Sequence, residues 1–283
     1  MKIHYWGTAA AEGVPGIFCN CETCKAARIK KGRCIRTRTQ FLINDDLLVD
    51  FGPDTYAHTL QYDFDMSRLG HVIITHPHED HFYPEELSNR LAAYAQNPEV
   101  QTLVIHGAEE TLDGIRRISE GNELYKDQDR ILFDIMKPYE TRDINGYMVT
   151  ALPARHGTKM PFNYLIEDGE KAILILNDTG RPEAAVYEYL ISRRVVLDLI
   201  SFDTTYGFEN VLAKYGAADH HMGLLDNFAV REYMILNGIA DKNTICVANH
   251  FSHQAVDADY DKMCEHAENY GFIVSYDGMV IEI

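Results

Sequence analysis

At 283 residues the chain is long enough for one large domain or two small ones, and with 46% hydrophobic residues it can bury a substantial core. No segment is long and apolar enough to span a membrane. The excess of 43 acidic over 26 basic residues, a formal net charge of −17, repels polyanions and argues against a surface that tracks nucleic acid.

In chain order, residues 1–7 read as a first strand and not a signal peptide, because no charged region, apolar run and cleavage site succeed one another. A cytoplasmic protein is therefore expected. A loop over about 13–34 follows, carrying Cys19, Cys21 and Cys24 in a C-x-C-x-x-C pattern. Thiolates this close favour a tetrahedral Zn²⁺ completed by a fourth ligand from elsewhere, and a closed site of four ligands is structural. Strands are predicted at 41–43 and 47–49, the second followed by Asp50. The strand 72–75 runs straight into His76-Pro77-His78-Glu79-Asp80-His81, an H-x-H-x-D-H sequence. Imidazole and carboxylate are the side chains that hold borderline divalent metals, and four of them in one tight loop have no place in a core or on an ordinary surface. A helix is predicted over 84–96, with Pro84 at its first position and Glu85 and Glu86 in its first turn.

Further strands are predicted at 102–105, 148–151, 172–176, 195–200, 244–248 and 278–283, and helices at 182–193, 224–236 and 258–270, the last stopped by Gly271. The mixture implies sheets covered by helices. His156 comes shortly after 148–151, Asp178 directly after 172–176, and His250 directly after 244–248. A lone strand-end Asp is more often a turn former than a ligand. If the strands run the same way, however, these groups converge with the hexad at one sheet edge, where such folds build sites. His253, three residues beyond His250, is the natural fourth ligand of the thiol cluster. Cys246 and Cys264 are simplest as core residues.

Together, the hexad, His156, Asp178 and His250 resemble the ligand pattern of the metallo-β-lactamase-fold hydrolases, and the resemblance covers essentially the whole chain. It implies a single α/β domain over 1–283, an αββα sandwich with a dinuclear site at one edge. The C-x-C-x-x-C loop and the H-x-x-H near the C-terminus are similar to the branch that hydrolyses 5-phosphoribosyl 1,2-cyclic phosphate in the carbon–phosphorus lyase pathway. In that branch the three cysteines and the second His hold a structural zinc. The resemblance implies one catalytic metal on His76, His78 and His156, a second on Asp80, His81 and His250, and Asp178 between them. Asp80 counts with the catalytic residues, and the metals, Mn or Zn and in some cases Fe, would hold an attacking hydroxide. It also implies a catalytic His in the doublet His220-His221. His221 is preferred because it is read as opening the helix 221–224; Asp203 would orient it, or serve only as a turn residue.

The expected function is thus a metal-dependent phosphodiesterase for a small phosphorylated substrate, with neither nucleic acid nor membrane as partner; homodimers are common in the family. On the same fold the alternatives are a ribonuclease Z-like RNA endonuclease, a lactonase, or a binding or oxidative protein like pyrroloquinoline quinone biosynthesis protein B. Residues 97–146 match nothing in the pattern and are a candidate cap insertion, with the polar run 119–130 as its specificity element. Asp50 is expected to brace the His loop and Glu79 to face solvent.

Overall fold

The structure, a computed structural model, describes residues 1–119 and 130–283. Two seven-stranded sheets form it. The first has the order β14 (Met279–Glu282), β1 (Lys2–Gly7), β2 (Gln40–Ile43), β3 (Leu47–Val49), β4 (His71–Ile73), β5 (Leu103–Gly107) and β6 (Ile131–Ile135). The second has the order β13 (Ile273–Val274), β12 (Ile245–Asn249), β11 (Leu199–Asp203), β10 (Ala172–Leu176), β9 (Phe162–Glu167), β8 (Tyr147–Pro153) and β7 (Thr141–Ile144).

Alternation along each strand divides the apolar residues between two layers, because successive side chains leave opposite faces. Ile3, Tyr5, Phe41, Ile43, Leu47 and Val49 of the first sheet pack against Val149, Tyr164, Ile166, Ile173, Ile175 and Val247 of the second. Their strand neighbours point outward. Leu174, Leu176, Ile200 and Phe202 meet helices α4 (Ala184–Arg193), α6 (Leu224–Leu236) and α7 (Tyr260–Asn269) through Leu190, Met234 and Met263. On the other side Leu42, Leu48, Val72 and Ile74 meet Leu87, Leu91 and Ile115, the last on α3 (Glu109–Ser119). Strands buried on both faces read as unbroken apolar runs, which is why Ala172–Leu176 carries no polar residue. The result is the expected αββα sandwich. Shorter helices α1 (Glu22–Lys30), α2 (Thr55–Gln61) and α5 (Val211–Tyr215) lie in the connections. Among the described residues no helix is long and apolar enough to cross a membrane.

Strand direction positions the site. β3, β4 and β5 are parallel, as are β10, β11 and β12. β8 is antiparallel to β9, which is antiparallel to β10, so β8 runs with β10. The two sheets are tied at this end: the Phe162 amide donates to the Thr75 carbonyl at 2.8 Å and the Tyr164 hydroxyl to the Ile74 carbonyl at 2.7 Å.

Four expectations need correction. The helix over 84–96 is instead a 3₁₀ segment, Pro84–Arg90, followed by turns. Ser88 donates to the Glu85 carbonyl and Asn89 to the Glu86 carboxylate, local bonds that compete with a regular helix. The strand over 195–200 begins only at Leu199: the Leu197 amide bonds Ile239, and the Asp198 carboxylate takes the Ala172 amide and Lys171. The helix after His221 starts at Leu224, with Gly223 as its cap. Finally, 97–146 is in part sheet, since β5 and β6 extend the first layer and β7 edges the second. Of the polar run 119–130, residues 120–129 lie outside the described residues.

Candidate metal centre

Three of the candidate residues sit just past parallel strands in left-handed backbone: Asp50 after β3 with φ 67°, Asp178 after β10 with φ 43°, and His250 after β12 with φ 62°. None is glycine, and such conformations cost free energy that surrounding contacts must offset, a pattern that clusters at functional sites. Each turn aims its side chain across the shared edge.

Three groups of ligating atoms result at this edge, the third, Asp178, Asp203, His221 and His250, overlapping the second. His76, His78 and His156 lie together, with His78 Nδ1 2.9 Å from His76 Nε2 and 3.1 Å from His156 Nε2. Asp80, His81, Asp178 and His250 form the second group. Asp178, a member of the second, also reaches the first: its Oδ2 lies 3.3 Å from His76 Nε2 and 2.6 Å from His81 Nε2, its Oδ1 3.1 Å from His250 Nε2. Close as they are, His81 Nε2, His250 Nε2 and Asp178 Oδ1 are buried without a hydrogen bond of acceptable geometry. Lone pairs that converge in this way fit a cation better than one another.

The opposite ring nitrogens of four of the five histidines are held. His81 Nδ1 is 2.6 Å from Asp50, His76 Nδ1 is 3.0 Å from Thr75 Oγ1, His250 Nδ1 is 2.8 Å from Thr205 Oγ1, and His156 Nδ1 is 3.2 Å from the His220 carbonyl. Asp50 also accepts from the Thr75 amide and hydroxyl, so it braces the His loop as its place after β3 suggested. Partners of this kind fix the ring and its tautomer for ligation. Asp50→Asn is expected to cost about 10–100-fold in metal affinity or activity, the range for such outer partners, read by metal titration of the folded protein.

The field of the site asks for positive charge. Burial alone would lower the His81 imidazole, but Asp80, Asp178 and Asp50 outweigh it and hold the ring well above its ordinary range. Burial alone would raise the Asp178 carboxyl, but His250 and His81 hold it well below. Burial, with His81 beside it, keeps His76 neutral and available as a ligand.

Of the doublet, His221 faces the site: its Nδ1 lies 2.9 Å from Asp203 Oδ2 and 3.3 Å from Asp178 Oδ1, whereas the His220 side chain is exposed. Burial lowers the His221 imidazole, but Asp203 first and then Asp178 outweigh it and push it up to about 9. Glu79 is exposed. Gly180 permits the approach of the segment before His221, since a Cβ there would collide with the Ala218 carbonyl.

The thiol loop builds a separate cluster. Cys19, Cys21, Cys24 and His253 offer ligand atoms within 4.8 Å of one another, with Cys19 and Cys21 Sγ each 3.6 Å from His253 Nδ1. Its other nitrogen, Nε2, faces Glu12 Oε1 at 3.7 Å. Gly16 is the floor of this cluster; a Cβ there would stand 3.0 Å from His253 Nε2. Burial would raise the Cys21 thiol, but the Cys24 amide and the Cys19 and His253 side chains outweigh it and bring it down to about 6. Burial pushes Cys24 up to about 12. A bound cation would deprotonate such thiols outright, and three thiolates with one imidazole match tetrahedral zinc.

A cleft of about 480 Å³ opens over the first cluster, lined by His78, Asp80, His156, Asp178, His221 and His250 and also by Tyr206, Lys214 and Tyr215. Sequence reading missed Thr75, Thr205, the His220 carbonyl and the last three of these lining residues. The signal for part of it was available: Asp203-Thr204-Thr205-Tyr206 turns polar abruptly after the apolar run of β11.

Residues 46–234 match the family described as the beta-lactamase superfamily domain. No curated protein matches the sequence. Among solved structures, a new diphosphatase from the PhnP family is similar at 17% identity and TM-score 0.74, over 100% of this chain and 97% of its own. Zn²⁺-bound PqqB from Methylobacterium extorquens is similar at 17% identity and TM-score 0.75, over 100% of both chains. The short form of human tRNase Z follows at 18% identity and TM-score 0.64, over 100% of this chain and 99% of its own. At these identities the likeness is one of fold.

Proposed function

The chain belongs to the beta-lactamase superfamily, and from that premise we propose that it is a metal-dependent phosphoric diester hydrolase acting on a small cyclic phosphate ester, phosphoribosyl cyclic phosphate-like in kind. His76, His78 and His156 would hold one divalent cation, Asp80, His81 and His250 a second, and Asp178 would serve both. The observation that carries this reading is Asp178 itself: its Oδ2 stands between His76 of the first group and His81 of the second, at 3.3 and 2.6 Å, while its Oδ1 faces His250 at 3.1 Å. Cys19, Cys21, Cys24 and His253 would hold a structural zinc.

Bound there, two divalent cations would lower the pKa of a coordinated water and offset the negative charge that builds on the phosphoryl oxygens. The chain's own residues do the rest. Asp50, Thr75 and Thr205 hold the imidazoles in register. In the hydrolysis a water oxygen bonds to phosphorus, the ester P–O bond breaks, and the leaving alkoxide takes a proton. His221 is the group suited to give it: Asp203 accepts from Nδ1, which leaves Nε2 to carry the transferable proton. Cations held at Asp178 would oppose the pull that raises this imidazole.

A formal charge of −17 disfavours RNA. The similar structures include a diphosphatase and a tRNase Z, so the deciding panel holds pyrophosphate and a short RNA beside ribose cyclic phosphates, cyclic nucleotides, bis(p-nitrophenyl) phosphate and a lactone. With Mn²⁺ or Zn²⁺ supplied, turnover is expected on the cyclic phosphates. Preference for pyrophosphate, the lactone or the RNA would overturn the substrate class, and no turnover of any would return the protein to a binding role.

A further inference from the structure

His221 arrives on a stretch with no regular structure. Residues 216–223 join α5 to α6, and of 216–220 only Ala218 is buried. From Met222 onward the chain is pinned by buried carboxylates: Asp203 accepts from the Met222 amide at 3.2 Å, and Asp226 from the Gly223 amide at 3.3 Å. Upstream of His221 the pins lie elsewhere, on the turns that carry His156 and Asp178. The Ala218 carbonyl accepts from the Arg181 amide at 2.9 Å, the Asp219 carboxylate pairs with the Arg155 guanidinium, and the His220 carbonyl accepts from His156 Nδ1 at 3.2 Å. The successive residues before His221 thus dock on the segments that hold two of the candidate ligands.

Of these contacts only the one made by Asp219 needs a particular side chain on the segment, since every residue brings a carbonyl. Its partner is fixed in advance. The Arg155 amide donates to Thr179 Oγ1 at 3.0 Å and its carbonyl accepts from the Gly180 amide at 2.9 Å, so its backbone is bound to the turn just after Asp178. The other guanidinium nitrogen, Nη1, donates to the Arg181 carbonyl at 3.5 Å. The paired side chains are 34% and 46% exposed, and an ion pair that open adds little to global stability. Placement is a different matter, because a shift of about 1 Å in a reacting group can cost about a hundredfold in rate. Resting on the phosphodiesterase reading, we infer that Arg155 and Asp219 are positioning residues that form a latch. They hold the 218–221 segment on the His156 turn, so that His221 stands ready for the leaving group and the His220 carbonyl keeps the His156 ring turned for ligation.

The test uses the full chain at saturating Mn²⁺ and two esters that differ in what leaves. A ribose cyclic phosphate releases an alkoxide that needs a proton; bis(p-nitrophenyl) phosphate releases a phenolate that does not. Asp219→Ala is expected to lower kcat about tenfold or more on the cyclic ester and less than about twofold on the phenolate ester, a split that a merely structural role would not produce. Arg155→Lys, which keeps a cation for Asp219, should retain more of the kcat than Arg155→Ala. The double change to alanine should lose no more than the worse single one. Calorimetric titration with Mn²⁺ should show one of the two cations bound about threefold or more weakly in Asp219→Ala, less than a direct partner of a ligating imidazole costs. Equal loss on the two esters, or loss on neither, overturns the inference. If the unaltered chain turns over neither ester, the phosphodiesterase reading fails instead, and the titration decides the latch alone: both cations bound as tightly in Asp219→Ala as before removes it.

Discussion

Asp178→Asn is expected to abolish turnover, by about a thousandfold or more, the scale of the several kcal/mol that metal charge contributes to such a reaction. The amide keeps the shape of the carboxylate but removes the charge that both histidine groups face, so both cations should bind more weakly at once. His78→Ala gives the contrast. His78 is exposed and touches only the first group, its Nδ1 lying between His76 and His156. It should also stop turnover, yet weaken only one of the two cations. Neither change should unfold the chain, because both residues lie in loops beyond strand ends. Metal content by mass spectrometry, beside activity, separates the cases. If either variant kept more than a few per cent of activity, the two-cation assignment would fail; equal metal loss in both would make the site a single unit instead of two groups.

How far the sequence alone leads depends on what each feature requires. Ligation needs particular side chains at particular chain positions, so the hexad, His156, Asp178 and His250 stand out before any coordinate is known. The parallel runs that bring them together were legible too, because Leu47–Val49 and Ala172–Leu176 are apolar on both faces. What supports those ligands was not. Thr75 and Thr205 act through one hydroxyl, and His220 through its carbonyl, a group every residue has. Strand β7, Thr141–Ile144, has three polar residues in four and sits at a sheet edge, so periodicity hid it. The same weakness made 97–146 look like an insertion, though β5 and β6 complete the first sheet. Conversely, Pro84 with Glu85 and Glu86 made a sound helix start that local Ser88 and Asn89 bonds then diverted.

Cys21→Ser separates a zinc ligand from a helix cap. Cys21 is the N-cap of α1, its sulfur accepting from the Cys24 amide at 3.5 Å. Serine is among the best N-cap residues, so the substitution keeps the cap or improves it. Any loss of stability therefore reports on the thiolate. One zinc per chain should disappear while the catalytic cations stay. The melting temperature should fall by about 4–8 °C, which corresponds to roughly 2 kcal/mol for a domain of this size, since binding energy at such a site is folding energy. Turnover per loaded chain should fall less than in Asp178→Asn, but not stay untouched. The same turn that supplies His253 supplies His250, and Phe251 between them bonds Thr8 and Ala10 through its backbone. Loosening the thiol loop should therefore reach the catalytic edge, and does so more strongly near the melting transition than at 25 °C. Unchanged zinc content with unchanged melting would leave the three cysteines as ordinary thiols.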